Sequence, residues 1–397
     1  MTVYLAVLLS VLQGISMRGA KILVSLSALA AGANPFEVGV LAAMFAAFPL
    51  VLAVYAGKVS DRIGVRHPIL GGATVIGVGI LTPLAIPGLA GLIAGSALIG
   101  LGHIFFHVSI HNLVGAYGDG EARTRNFATF ALGASISAFI GPSLGGFSID
   151  LWGFPATHVL LAAIAVVPAL LLLAMPGIVP PRPAHSKAGK SGGSLALLQD
   201  AGLRRTLIMS GVTLTGIELF TFYFPVYGRS VGLSASAIGM VMSSYAVAAF
   251  IVRMGMPRVT KRMGEVGVLT ASLFIAGTTY LMVPFASEAP LLALMAFLLG
   301  IGLGCAQPLT IILTYNHAPA GRAGEALGLR LTVNKMTQIA VPLAFGALGS
   351  AFGLLPVFWA NGAFLLAGGV ISFAEKRAAA RGANPTAALT EEKEEDA

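Results

Sequence analysis

The stretch Gly57-Lys58-Val59-Ser60-Asp61-Arg62-Ile63-Gly64-Val65-Arg66-His67 decides how this chain is read. It is a charged island between two long apolar runs. Its two glycines, Gly57 and Gly64, tolerate positive φ and would permit a sharp turn. Three basic side chains, Lys58, Arg62 and Arg66, surround one acid, Asp61. At an offset of 200 residues the island has an echo, Pro257-Arg258-Val259-Thr260-Lys261-Arg262-Met263-Gly264. A charged turn that recurs at a fixed interval is the mark of a duplicated architecture.

Composition sets the medium. Of the 397 residues 56% are hydrophobic and only 10% are charged, with a mean hydropathy of +0.88. A soluble domain carries about 25% charge, so a water-exposed globule is excluded. The apolar residues fall in runs of bilayer-spanning length, and in lipid such runs satisfy their own backbone as helices. The net charge of +8 raises the question of nucleic acid, but the basic residues sit in short loops between spans, where the positive-inside rule explains them. No nucleic-acid partner is expected. One cysteine, Cys305, leaves no intrachain disulfide framework. No Lys or Arg precedes Arg18, so the first apolar run reads as a span that stays rather than a cleaved leader.

Twelve spans are expected, at about 3–30, 36–56, 69–88, 90–116, 126–148, 155–176, 206–228, 234–256, 266–286, 289–315, 325–351 and 354–374. The fold class is thus an all-α membrane protein of twelve transmembrane helices in two pseudo-symmetric six-helix halves. The expected division is an N-terminal half at 1–176, a cytoplasmic linker at 177–205, a C-terminal half at 206–374 and a charged, solvated cytoplasmic tail at 375–397. Lys and Arg crowd one side of this arrangement, and the other carries Arg229 alone. Both termini, the island and the linker are therefore expected in the cytoplasm of a cell whose inner membrane holds the protein. The halves align without a gap: Gly32 with Gly232, Gly39 with Gly239, Gly64 with Gly264, Pro142 with Pro342, Gly146 with Gly346 and Gly153 with Gly353. Matched glycines and prolines imply matched bends and close contacts. Parallel repeats with a site between them are a transporter architecture.

The island resembles the cytoplasmic loop signature of the major facilitator superfamily, G-x-L-a-D-r-x-G-r-k, with Asp61, Arg62, Gly64 and Arg66 on its marked places. The fifth span carries Gly133, Ser137, Gly141, Pro142, Gly145 and Gly146 at spacings similar to the superfamily's antiporter signature, with Ser137 in place of one glycine. The resemblance covers nearly the whole chain and implies a member of the twelve-span, drug/proton-antiporter-like branch, a transporter and not an enzyme. It departs from many proton-coupled exporters in two places. Ser96 stands where they have an Arg, and the first span lacks their acid.

Charges inside a bilayer cost at least about 2.5–3.5 kcal/mol each and so usually face a cavity. Arg18 and Lys21 lie one helical turn apart in the first span and could hold an anionic group. Glu218, deep in the seventh span, stands at the 200-offset position of Arg18. A carboxyl there could carry protons, since burial favours its neutral form and a nearby cation its charged one; a permanent brace to Arg18 or Lys21 is the bland reading. His103, His107 and His111 recur at i, i+4, i+8 on one helical face and suit proton relay, substrate hydrogen bonding, polar packing or a metal. Met and His at helical spacing mark copper-importing members of the superfamily. The methionines here form no such pair, and no resident metal or cofactor is expected. Arg330, Asn334 and Gln338, with Lys335 beside them and Gln307 at a break before Pro308, form a polar stripe suited to carboxylate or carbonyl oxygens. Gly57, Asp61, Arg62, Gly64 and Arg66 read as a conformational latch with Arg253 as a candidate partner, and the glycines around Pro142 as a sliding contact.

The combined expectation is a monomeric, proton-coupled carrier of a small carboxylate-bearing solute, exporting it across the inner membrane by alternating access. An uptake permease for a nutrient, cofactor or transition metal is the alternative. A non-transporting membrane receptor or scaffold is the reading from another class, separated from a carrier by the absence of flux.

Overall fold

A computed structural model describes residues 2–116, 121–174, 194–319 and 322–383. The first half contains α1 (Thr2–Ala30), α2 (Pro35–Ile63), α3 (Arg66–Ala85) and α4 (Leu89–Ala116). Next comes a helical run, Glu121–Ala174, which breaks at Gly153 (φ 78°) into α5 (121–152) and α6 (154–174). The second half contains α7 (Ala201–Ser230), α8 (Ala235–Met263), α9 (Glu265–Met282), α10, α11 (Ala323–Phe352) and α12 (Leu354–Ala383). Helix α10 is itself in two pieces, Ala289–Gly304 and Ala306–Asn316. Ten helices meet the length and apolarity of a membrane span. The break at Gly153 divides one of them, and α11, whose hydropathy is lowered by Arg330 and Lys335, completes the expected twelve. Outward faces are apolar, with Val51, Leu151, Trp152 and Phe285 exposed as lipid requires.

The duplication is visible atom by atom. Gly32 and Gly232 take φ of 83° and 87°, Gly64 and Gly264 of 85° and 73°, and Gly153 and Gly353 of 78° and 85°. A Cβ on Gly39 would meet the Pro342 carbonyl, and one on Gly239 would meet the Pro142 carbonyl. Gly146 abuts Ala235 and Ser236, while Gly346 abuts Pro35 and Phe36. These contacts between the halves are thus repeated with the roles exchanged, as a two-fold pseudo-axis demands.

The structure corrects the reading of the opening island. Gly57 is helical, and α2 runs on to Ile63; the turn is made by Gly64 alone, the position where positive φ is required. The echo behaves likewise, with Pro257 inside α8 and the turn at Gly264. Lys58, Asp61 and Arg62, and Arg258, Lys261 and Arg262 in the echo, therefore decorate the last two turns of long helices that project beyond the apolar run, while Arg66 opens α3. Arg66 donates to the Leu172 carbonyl at 3.1 Å, tying the turn to the end of α6. Most of the expected linker lies outside the described residues. Its last part forms a 3-10 turn, Ser194–Gln199, and then α7, whose N-cap Asp200 accepts from the Leu203 amide at 2.7 Å. The tail expected to leave the helix at 375 instead continues α12 to Ala383, and 384–397 lie outside the described residues.

Local signals explain where the helices facing the partner half begin. Asn34 and Glu37 form a reciprocal capping box, with Pro35 in the first turn of α2. Ser234 caps α8 through the Ala237 amide. These two N-termini are then bound by the opposite half. The Asp150 carboxylate accepts from Ala235 N at 3.2 Å and Ser236 N at 2.7 Å. At the 200-offset position, the Ser350 hydroxyl accepts from Phe36 N at 3.0 Å and donates to Asn34 Oδ1 at 3.3 Å. Tyr223 adds a bond to the Pro342 carbonyl at 2.5 Å and one to the Pro35 carbonyl at 3.2 Å. Ser243 bonds Ser143 at 2.7 Å. All these links lie from the middle of α5 outward, on the face away from the termini, which they seal.

A carboxylate capping two amides at a helix N-terminus, where the macrodipole is positive, contributes about 0.5–2 kcal/mol. Asp150→Ala should therefore shift the population toward the state open on that face by about 2- to 30-fold. Electron–electron distances between spin labels at Ala31 and Leu233 would report the shift; an unchanged distribution would remove Asp150 from the seal.

Candidate functional site

Helices α1, α2, α4, α5, α7, α8 and α11 surround three adjoining cavities. The first, about 270 Å³, lies in the first half and is lined by Gln13, Arg18, Lys21, His103, His107 and Ser137 among others. The second, about 260 Å³, spans the two halves and includes Arg18, Lys21, Pro142, Glu218, Tyr245 and Arg253. The third, about 80 Å³, is bounded by Lys21, Phe45, His103, Glu218, Lys335 and Gln338. Lys21 lines all three.

The sequence places Arg18 and Lys21 mid-span on one face of α1, and the structure keeps them together there. Arg18 donates to Ser137 Oγ at 2.7 Å, so the serine that replaces a glycine in the fifth-span motif holds a cation. Gly141 lets α5 approach α1, since a Cβ there would meet Arg18 Cβ and the Ile15 carbonyl. The Lys21 ammonium lies 4.9 Å from the centroid of the Phe222 ring, a cation–π contact. Among the described residues neither cation has a carboxylate partner within ion-pair distance, so the expected alternative of a permanent brace to Glu218 does not describe this conformation.

Glu218 is 5% exposed and accepts from Gln338 Nε2 at 3.0 Å, while Gln338 Oε1 accepts from Lys335 Nζ at 2.8 Å. Acid and lysine are thus linked through one amide rather than touching. Four cations line the three cavities (Arg18, Lys21, Arg253 and Lys335) against one acid, Glu218.

The histidine stripe is real, but only part of it reaches the site. The His103, His107 and His111 rings pack in sequence with centroids 5.1 and 4.2 Å apart. His103 and His107 line the first cavity. His111 instead lies against Phe130, centroids 4.7 Å apart, and its Nδ1 meets the His107 carbonyl at 2.8 Å. Among the described residues no group of three or more His, Cys, Asp or Glu is arranged to hold a metal ion.

The stripe on α11 divides the same way. Lys335 and Gln338 face the third cavity, whereas Arg330, Asn334 and Gln307 line none of the three. Arg330 is 4% exposed and donates to Gln307 Oε1 at 2.6 Å and Thr310 Oγ1 at 2.9 Å. Asn334 joins the same cluster by donating to Gln307 Oε1 at 3.4 Å, and its own Oδ1 accepts from Ser210 at 2.9 Å. Most of their polar groups are spent on one another, although Arg330 Nε is buried without a partner, and periodicity alone does not reveal this. Arg253 also has an internal task. Pro308 lacks an N–H, so the Gly304 carbonyl four residues earlier is left without its helical donor, and Arg253 Nε supplies one at 2.8 Å. Asp61, the acid of the latch, makes no ion pair with Arg253 or any other described residue.

Three site groups escaped the sequence reading. Gln13 is a single glutamine in an apolar span and Phe222 a single aromatic in another, so neither carries a pattern. Asp150 could have been found, because it stands 200 residues before Ser350 and opposite a Ser-Ala-Ser N-cap.

Two six-helix halves about a pseudo-axis, sealed on one face and enclosing a polar chamber in the membrane, define a carrier that works by moving one half against the other. The chain belongs to the Major Facilitator Superfamily, whose family model matches residues 6–334 and 206–395. It is a multi-pass membrane transporter of that superfamily, not an enzyme. Similar curated proteins include an MFS-type transporter of Methanocaldococcus jannaschii, 18% identical over 86% of this chain and 89% of that one. The multidrug resistance protein MdtG of Klebsiella pneumoniae is 23% identical over 65% and 64%, and the class G tetracycline resistance protein of Vibrio anguillarum 25% over 79% and 80%. Among solved structures, the nucleoside transporter NupG superposes with a TM-score of 0.79 at 14% identity, covering 94% of this chain and 99% of that one. A POT family transporter in complex with 5-aminolevulinic acid gives 0.78 at 14%, covering 94% and 95%. At such identities these structures show the fold.

Proposed function

We propose that the protein is a monomeric, proton-coupled carrier of a small organic anion bearing a carboxylate, in the inner membrane with both termini cytoplasmic. The observation that carries this is Lys21. It lines all three cavities and its ammonium rests on the Phe222 ring with no carboxylate beside it. A mid-membrane cation without an anion costs about 2.5–3.5 kcal/mol or more, and a substrate carboxylate would offset that cost. Arg18, already oriented by Ser137, supplies a second charge, and a guanidinium can grip both carboxylate oxygens.

Coupling follows from like-charge repulsion. A carboxylate arriving at Lys21 lies in a cavity shared with Glu218, and protonation of Glu218 relieves the repulsion between them. Anion and proton then bind together, and the nearly neutral pair permits the halves to move. Under an inward proton gradient this sense of coupling gives uptake. Export is the second reading, favoured by the antiporter-like fifth-span motif and by relatives named for drug resistance and purine ribonucleoside efflux. It calls for a solute that competes with the proton at Glu218 instead of joining it. The Asp150 and Ser350 caps would release on opening, and the Asp61 turn would serve as the latch of the opposite face.

Purified protein in proteoliposomes, given labelled benzoate and other small carboxylates with an imposed pH gradient, tests the proposal. Accumulation that collapses with a protonophore is expected. Specific binding of carboxylates with no flux would favour the receptor reading, and no binding of any carboxylate would overturn the anion assignment.

A further inference from the structure

The first cavity holds more than the anion site needs. Gln13 projects into it from α1, is 2% exposed, and has no hydrogen-bond partner for either its amide oxygen or its amide nitrogen. His103 Nδ1, on the facing helix α4, is likewise buried without a partner. A buried amide ordinarily finds partners for both ends, so two bare groups of complementary character, facing one cavity from different helices, point to a ligand.

The other half fills the equivalent places with side chains that pair with one another, leaving only Arg330 Nε of that cluster without a partner. At the 200-offset positions, Gln13 becomes Thr213, His107 becomes Gln307, Phe130 becomes Arg330 and Ala134 becomes Asn334. There the side chains close on each other: Gln307 Nε2 reaches Thr213 at 3.4 Å, Asn334 reaches Gln307 at 3.4 Å, and Arg330 reaches Gln307 at 2.6 Å. In the first half the corresponding places hold Phe130 and Ala134, which offer no polar atom, and Gln13 stays unpaired. The same fold is plugged on one side and left as a cavity on the other.

We propose that Gln13, with His103, makes this cavity a specificity subsite for a planar N–H/C=O edge, such as a carboxamide, ureido group or lactam ring. The substrate would carry that edge on the same small molecule as the carboxylate held by Arg18 and Lys21. A glutamine amide presents one acceptor and two donors in a plane, so it pairs with an amide edge through two antiparallel hydrogen bonds. Gln13 lies five residues before Arg18, about 7.5 Å of helical rise, which places edge and carboxylate at opposite ends of a single ring. The space suits one ring: an engineered apolar cavity of about 150 Å³ already holds benzene. The inference rests on the anion reading, and it says what the rest of the anion looks like.

Two probes of nearly equal shape isolate the edge: para-carbamoylbenzoate, and para-isopropylbenzoate in which the amide is replaced by an apolar group. Affinities are measured by calorimetry on the full-length protein, wild type and Gln13→Leu. A site built to pair polar groups rejects the analogue that lacks them, so the wild type should prefer the carbamoyl acid by at least about tenfold. Gln13→Leu should bring the ratio to about one while still binding the isopropyl acid, which also shows the variant to be folded. Equal binding of both acids by the wild type, or a preference that survives in Gln13→Leu, would overturn the subsite and leave the anion site standing. Failure of both acids to bind the wild type would overturn the two together.

Discussion

Replacing Glu218 with glutamine is expected to abolish accumulation driven by a pH gradient, down to the passive leak, while exchange of labelled for unlabelled solute continues. The substitution keeps the shape of the side chain, and its amide can still meet Gln338, which now donates to Glu218 at 3.0 Å. What it removes is the ability to gain and lose a proton at the one acid that lines the cavities. Exchange needs only that the loaded carrier cross and return, whereas accumulation needs a proton cycle. Retained pH-driven accumulation in this variant would move the coupling to His103 or His107, the imidazoles that line the first cavity.

The second large effect is on binding. Lys21→Met keeps the length and apolar body of the side chain and should pack comparably against Phe222. It removes the charge that lines all three cavities. Loss of one partner of a desolvated charge pair costs about 2–5 kcal/mol, so carboxylate affinity should fall by about 30-fold or more. The matching Arg330→Met variant provides the contrast. Arg330 is occupied by Gln307 and Thr310 and lines none of the three cavities, so its loss should lower the unfolding temperature rather than selectively weaken the anion. Equal losses of affinity in the two variants would contradict the separation of these cations into site and scaffold. The two readouts are calorimetric affinity for benzoate and thermal unfolding of the same preparations.

Much of the fold was legible because hydropathy writes spans directly into the chain. The twelve expected runs coincide with helices to within a few residues on the apolar sides. They fall short where charged residues extend α2 to Ile63 and α8 to Met263 beyond the apolar run. Hydropathy sees the membrane and not the helix, so the 57–67 island reads as a loop when it is mostly helix end. The 200-residue register proved more informative than any single motif. It matched Gly39 with Gly239, which the structure shows in exchanged contacts across the halves, and it exposes a place where the halves differ in kind, the cavity beside Gln13.

The candidate site was legible in its charges and obscure in its aim. Arg18, Lys21 and Glu218 stand out because ions in lipid are costly. Helical periodicity grouped Arg330, Asn334 and Gln338 on one face but could not say which neighbour covers each end of that face. In the structure the end nearer Arg330 is covered by the broken helix α10 and the end nearer Gln338 borders a cavity. Arg253 was read as a latch because it lies toward the charged end of its helix. The carbonyl freed by Pro308, more than fifty residues away in sequence, gives it a different partner. The Asp150 cap is made across 85 residues and has no local signature, so only its 200-residue match to Ser350 could have pointed to it.

The central claim is that an organic anion and a proton occupy the chamber together. It is tested most directly by adding benzoate to the purified protein in weakly buffered solution and following the pH. Proton uptake that saturates with benzoate binding, and disappears in Glu218→Gln while binding persists, is the predicted result. Proton release on binding, or binding with no exchange of protons, would contradict it.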